Sequence, residues 1–231
     1  MSLLFDLPEI PALPVKGEDA GYPIGRIFCV GRNYAAHAAE MGFEVDREAP
    51  FYFTKSPANA MLTGGSTPYP PGTENFHHEM ELVMAIGSPV FRCSKDEGLA
   101  AVYAYGCGLD MTRRDLQIAS RNKQRPWDLG KDVEDSAVLA PLTRAADFGP
   151  IADQRIWLEV NGEIRQDATL AELIWKVDEI VADLSKFYHL RPGDLIMTGT
   201  PAGVGPVVAG DTITGGIDGL EPISLTLTDP E

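Results

Sequence analysis

One stretch of the chain sets apolar residues against carboxylates: His77-His78-Glu79-Met80-Glu81-Leu82-Val83-Met84-Ala85-Ile86-Gly87. Side chains two apart on a strand share a face. Met80, Leu82, Met84 and Ile86 therefore form a core face, while Glu79 and Glu81 point together to the other, with Val83 and Ala85 beyond them. Apolar runs at Arg26–Gly31, Pro50–Lys55, Ala101–Leu109, Leu195–Thr198, Asp211–Ile217 and Ile223–Thr228 predict further strands. Arg155–Val160 alternates into Asn161-Gly162, a strong hairpin signal, and Glu163–Gln166 returns as its partner.

Helices are fewer. Asn33 is placed to cap an alanine-rich helix that stops at Gly42. Residues 94–101 form a short one, and Thr112 is placed to cap another over Arg113–Ser120. Thr169 and Glu172 make a capping box. Behind it Leu170, Leu173, Ile174, Val177, Ile180, Val181, Leu184 and Phe187 have helical spacing, which predicts the longest helix of the chain. Residues 56–75 carry so many prolines and glycines that an irregular connection is expected. Residues 43–50 read as a loop. Residues 1–24, with prolines at 8, 11, 14 and 23, read as an extended arm. Short strands dominate the C-terminal half without a βαβ rhythm. The pattern predicts an α+β, mostly β domain over 25–231 with a few flanking helices.

Composition narrows the function classes. The chain has 231 residues, 44% of them apolar, and a formal charge of −15. That charge argues against a nucleic-acid partner and against an anionic membrane surface. The three cysteines, Cys29, Cys93 and Cys107, are odd in number and lack Cys-x-x-Cys spacing, so free thiols are expected rather than disulfides or a zinc ribbon. No signal-peptide pattern or membrane-length apolar run is evident, and a cytoplasmic location is the expectation.

Several residues carry candidate chemistry. Glu79 and Glu81 are either solvated side by side or compensated by a hard divalent cation. The strand before Asp110 has Ala104, Gly106 and Gly108 on one face, small residues that admit a close backbone or ligand. Asp110 at its end suits a ligand, a cap or a turn. His37 and Glu40 are three apart on their helix, either a surface pair or an imidazole oriented by a carboxylate. Arg113 and Gln117 share a helix face. Lys131 follows a glycine in a polar loop, as a substrate-binding cation or a solvated lysine. Gly199–Pro206 is a glycine-rich loop whose N–H groups, with the Thr200 hydroxyl, suit an anion. It matches neither a dinucleotide fingerprint nor a P-loop.

In combination these motifs are recognisable. Cys29-Val30-Gly31-Arg32-Asn33-Tyr34, His77-His78-Glu79-Met80-Glu81-Leu82, Gly108-Leu109-Asp110-Met111-Thr112-Arg113-Arg114-Asp115, Gly130-Lys131 and Thr198-Gly199-Thr200-Pro201-Ala202-Gly203-Val204-Gly205 occur in this order. Over roughly residues 25–228 the chain resembles the fumarylacetoacetate hydrolase family. The Arg125–Lys131 run and the proline-rich arm point to its fumarylpyruvate hydrolase and acylpyruvase branch. The resemblance implies a mixed β-sandwich roll, a homodimer, and a Mg²⁺ or Mn²⁺ site formed by Glu79, Glu81 and Asp110. It implies a lid over about 32–47 carrying His37 and Glu40 as catalytic groups, with Lys131. It further implies substrate contacts from Arg32, Arg114, Gln117 and Thr200, and an acyl pocket lined by the lid and the 43–50 loop.

The expected reaction is hydrolysis of a C–C bond in an acylpyruvate such as fumarylpyruvate, a step of gentisate-type aromatic catabolism. The cation chelates the 2-oxo acid end, Lys131 adds positive charge there, and His37, oriented by Glu40, deprotonates the water that attacks C4. Oxaloacetate decarboxylation, or isomerisation or hydration of another 2-oxo acid, is the alternative on the same site. A non-catalytic β module with a structural cation is the alternative of another class.

Overall fold

The Met80–Ile86 strand is buried along its whole length and lies at the centre of the molecule. Its even positions, Met80, Leu82, Met84 and Ile86, pack with Ile156, Leu158, Ile213 and Leu225 of a second sheet. Its odd positions, Val83 and Ala85, pack with Cys29, Leu139 and Met197 in a separate cluster. Both faces are therefore core, and the glutamates do not stand on a solvated strand face.

The computed structural model describes residues 4–5, 9–40, 42 and 47–231. The remainder of the 1–24 arm, the 32–47 lid and the 43–50 loop lies outside the described residues. An eight-stranded mixed sheet is built around the central strand. On one side it pairs antiparallel with Asp194–Met197, which runs parallel to Arg26–Gly31, which in turn pairs with Phe51–Lys55. On the other it pairs antiparallel with Val102–Asp110, followed by Ala137–Leu139 and Ala60–Leu62. A five-stranded sheet, ordered Glu163–Thr169, Arg155–Val160, Thr212–Ile217, Ile223–Thr228 and Ser66–Pro68, covers one face. A three-stranded ribbon of Gly205–Val207, Phe76–His78 and Thr112–Arg113 sits beside the site. The architecture is α+β and mostly β, as the alternation predicts. In the arm, Leu13, Val15, Tyr22 and Ile24 are buried in the second cluster, and the Tyr22 hydroxyl donates to Ile86 O at 2.7 Å.

Four local expectations are corrected. The long helix after Thr169 is interrupted. Leu170–Glu172 is one 3₁₀ turn and Val177–Leu184 is a separate eight-residue helix. Between them Leu173 bridges Tyr34, and the Ile174 and Trp175 N–H groups donate to Asn33 O and Oδ1. Tertiary hydrogen bonds to the Asn33 segment displace helical ones there. Asn33 accordingly does not cap its helix, which runs Ala35–Glu40. Residues 57–68 hold a 3₁₀ turn and two three-residue strands, Ala60–Leu62 and Ser66–Pro68, each parallel to one sheet edge where breakers are tolerated. The helix after Asp110 runs Arg114–Asn122. Thr112 does not cap it, and its hydroxyl donates to Asp110 O at 2.9 Å.

The small-residue face of Val102–Asp110 receives protein rather than a ligand. A Cβ at Gly108 would come within 2.6 Å of Val83 Cγ2, and one at Gly106 within 2.9 Å of Leu142 Cδ2.

Candidate metal centre and active-site pocket

Strand register brings the three acidic residues together. Glu79 occupies the single-residue break between Phe76–His78 and Met80–Ile86. Glu81 lies opposite Gly108, and Asp110 ends the same neighbouring strand two residues later. One oxygen from each of Glu79, Glu81 and Asp110 lies within 4.8 Å of the others, and all three side chains are buried.

Buried cations surround them. Lys131 ends the short helix Asp128–Lys131 rather than standing in a loop. Its Nζ donates to Glu79 Oε2 and Asp110 Oδ2, both at 2.7 Å, and to Thr112 Oγ1 at 2.8 Å. The same ammonium lies 4.9 Å from the Phe53 ring centre. Arg114 donates to the other oxygen of Glu79 and, at 2.5 Å, to Gln117 Oε1. Burial disfavours the charged form of Glu79, but Lys131 and Arg114 outweigh it and hold the carboxyl well below the usual range.

Glu81 is held differently. Its Oε2 accepts from the Gly199 N–H at 2.7 Å. Burial, then Asp110 and Glu79, push its carboxyl well above the usual range. Asp110 Oδ1 lies 2.9 Å from Lys55 Nζ yet makes no hydrogen bond. A buried carboxylate oxygen without a hydrogen bond, in an all-oxygen cluster with a destabilised glutamate, fits a hard divalent cation. Mg²⁺ and Mn²⁺ both suit such donors.

A cavity opens over this cluster, lined by Glu79, Glu81, Arg32, His37, Arg114, Gln117, Arg121, Lys131, Thr200, Phe53 and Trp127, among others. His37 is buried, and its Nδ1 lies 3.3 Å from Glu40 Oε2. Burial lowers its pKa below the ordinary imidazole value, partly offset by Glu79 and Glu40. Glu40 in turn accepts from the Gly203 N–H at 3.2 Å, joining the helix to the glycine-rich loop. Gly203 has φ of +95° and stands against the Arg165–Gln166 backbone, so glycine is required there. Arg32 adopts φ of +60°, and its guanidinium faces the Phe51 and Trp127 rings at 6.0 Å. The Thr200 hydroxyl accepts from Gln166 Nε2 at 2.8 Å.

The site residues that the family resemblance implies lie together, whereas Arg113, named for sharing a helix face with Gln117, turns instead to Leu129 O and Pro71 O. Arg32, His37, Glu79, Glu81, Arg114, Gln117, Lys131 and Thr200 line the cavity. Asp110 lies beneath it, and Glu40 stands behind His37. Sequence reasoning missed Lys55, Gln166 and Arg121, and misread Asn33. Buried Asn33 ties the strand end to Trp175 O at 3.0 Å and Thr198 O at 2.8 Å. A lone lysine or glutamine in a strand gives no signal of burial. Arg121 had one: it repeats the Arg114, Gln117 helix face.

Comparison with known proteins agrees with this geometry. The profile for the fumarylacetoacetate (FAA) hydrolase C-terminal family matches residues 26–228. The chain belongs to the fumarylacetoacetate hydrolase family. Among members of this family, a fumarylpyruvate hydrolase from a Ralstonia species is 53% identical over 190 residues, 81% of this chain and 98% of that protein. The oxaloacetate tautomerase YcgM of Escherichia coli K12 is 37% identical over 205 residues, 88% of this chain and 93% of that one. The crystal structure of fumarylpyruvate hydrolase from Pseudomonas aeruginosa, in complex with Mn²⁺ and pyruvate, superposes with a TM-score of 0.94 at 45% identity. It covers 99% of this chain and 100% of that one.

Proposed function

We propose that this enzyme hydrolyses the C3–C4 bond of an acylpyruvate, with fumarylpyruvate giving fumarate and pyruvate. The observation that carries the reading is a buried carboxylate triad and a buried imidazole facing the same cavity. The Ralstonia and Pseudomonas relatives named above support the choice of substrate. In this reading Glu79, Glu81 and Asp110 hold Mg²⁺ or Mn²⁺, which supplies Lewis-acid stabilisation of the 2-oxo acid end.

The remaining steps belong to the chain. Glu40 engages Nδ1 of His37, which leaves Nε2 for a water. The depressed pKa keeps the imidazole neutral, so it takes a proton as that water attacks C4. The C3–C4 bond then breaks, its electron pair leaves with the pyruvate enolate, and the proton on His37 is returned to C3. Because Thr200 Oγ1 accepts from Gln166, its own hydrogen is left to donate to the substrate carboxylate. Lys131 and Gln117 face the substrate, Arg114 fixes both Glu79 and Gln117, and Arg32 contacts the substrate from the cavity wall.

A second reading rests on the E. coli relative: tautomerisation of oxaloacetate needs proton transfer at the same pocket but no attacking water. One experiment separates them. Pyruvate release from fumarylpyruvate is followed with Mg²⁺, with Mn²⁺ and after EDTA, beside keto–enol exchange and decarboxylation of oxaloacetate. Fast metal-dependent release from fumarylpyruvate supports hydrolysis; turnover of oxaloacetate alone overturns it.

The same proposal takes 25–231 as the catalytic domain, 1–24 as an arm, about 32–47 as a lid, and the assembly as a homodimer in the cytoplasm serving aromatic catabolism. The absence of disulfides among Cys29, Cys93 and Cys107 fits a reducing compartment. No described helix is long and apolar enough to cross a membrane.

A further inference from the structure

Fumarylpyruvate is a dianion. Its 2-oxo acid end is addressed by the carboxylate triad and its neighbours, but a second carboxylate ends the acyl chain. Four cations line the cavity: Arg32, Arg114, Arg121 and Lys131. Lys131 and Arg114 stand beside Glu79 of the triad. Both are buried at the cavity floor. Arg121 lines the same cavity from the half-buried far end of the Arg114–Asn122 helix.

Helix geometry sets the spacing. Residues 114, 117 and 121 fall on one face. Seven residues at 1.5 Å each place Arg121 ~10.5 Å along the axis from Arg114, with Gln117 between them. An extended seven-carbon dicarboxylate has six C–C bonds, each advancing about 1.3 Å, so its outermost oxygens lie roughly 9–10 Å apart. The rise from Arg114, which stands beside Glu79, to Arg121 is thus comparable to the length of the molecule. Phe53 and Trp127 line the same cavity and offer flat apolar surface to an unsaturated chain.

We propose that Arg121 binds the terminal carboxylate of the acyl group and so selects acylpyruvates that are dicarboxylates. The inference rests on the acylpyruvate reading above, but its test does not depend on turnover. The probes are two 2-oxo acids of seven carbons without a cleavable β-diketone: 2-oxopimelate, which ends in a carboxylate, and 2-oxoheptanoate, which ends in a methyl. Calorimetric titration of the Mn²⁺-loaded protein should show 2-oxopimelate binding at least ~10-fold tighter, the size of one charge-assisted hydrogen bond at a half-buried site. In Arg121→Gln that preference should collapse to within about 2-fold through weaker 2-oxopimelate binding, with Arg121→Lys retaining part of it. Lys123→Gln, the same charge change at an exposed position nearby, should leave the preference in place.

In steady state, Arg121→Gln should raise KM for fumarylpyruvate about 10-fold or more while kcat falls less than 3-fold. Equal loss of both ligands, or an undiminished preference in Arg121→Gln, overturns the assignment of Arg121. Failure of wild type to cleave fumarylpyruvate overturns the reaction instead and leaves the binding result to decide Arg121 by itself.

Discussion

Lys55 Nζ lies 2.9 Å from Oδ1 of Asp110 with neither side chain reachable by solvent. The ammonium donates its hydrogens elsewhere, to Met111 O at 3.1 Å, to Ser136 Oγ at 2.9 Å and to Lys131 O. It thus ties the floor of the acidic cluster to the segment that carries Lys131. Lys55→Met keeps the stem but leaves Asp110 with Lys131 as its remaining cation and takes the donor from three buried acceptors. The expected cost is about 3–5 kcal/mol, read as a lowered urea midpoint. A variant as stable as wild type would show that Asp110 does not depend on this pair.

The acid side of the rate profile should report His37. Burial depresses its pKa in the folded enzyme, so its neutral, base-competent form persists below the ordinary value of about 6.5. The acidic limb of kcat/KM should therefore fall below pH 6.5. Glu40 opposes the depression, so Glu40→Gln should move the limb further to acid while lowering kcat at pH 7.5 by roughly 10-fold or more. A limb that moves upward in the variant would remove Glu40 as the partner of His37.

Gly130 sits where the Asp128–Lys131 helix meets the Arg114–Asn122 helix. A Cβ there would lie 2.7 Å from the Gln117 N and 2.8 Å from its Cα, so the backbones must separate. Gly130→Ala should cost about 1–3 kcal/mol in denaturant unfolding and cut kcat/KM more than 10-fold by shifting Lys131 from Glu79 and Asp110. Full activity in the alanine variant would mean that Lys131 tolerates displacement.

Removal of metal should separate activity from folding. Lys55, Lys131 and Arg114 already stand against Glu79 and Asp110. EDTA should therefore abolish at least about 99% of turnover while lowering Tm by only a few degrees, through loss of bound-ligand stabilisation alone. Unfolding on chelation would make the cation structural.

The central strand and its carboxylates were legible because alternation is local. Met80, Leu82, Met84 and Ile86 mark one face whatever lies around them. The burial of Glu79 and Glu81 was not legible from alternation, since it depends on distant segments: Lys131 and Arg114 against Glu79, and the Gly199 loop more than a hundred residues away against Glu81. The family motifs located Asp110, Lys131, Arg114 and Thr200, which spacing alone left open. Continuous helical spacing from Leu170 to Phe187 misled because Leu173, Ile174 and Trp175 spend their N–H groups or bridges on Tyr34 and Asn33. The strands within residues 57–68 escaped notice because each is three residues long and set at a sheet edge.

The Ala35–Glu40 helix is held unequally at its two ends. At one end Asn33 is fully buried, with hydrogen bonds of 2.6, 2.8 and 3.0 Å to Trp175 and Thr198. At the other, Glu40 meets Gly203 N at 3.2 and 3.3 Å in water-accessible surroundings. If the segment acts as the proposed lid, lifting it should break the second set before the first, with Asn33 as pivot and Glu40 as latch. His37 rides between them. In the proposed mechanism an open latch would carry His37 away from the cavity, so water activation would be confined to the shut conformation.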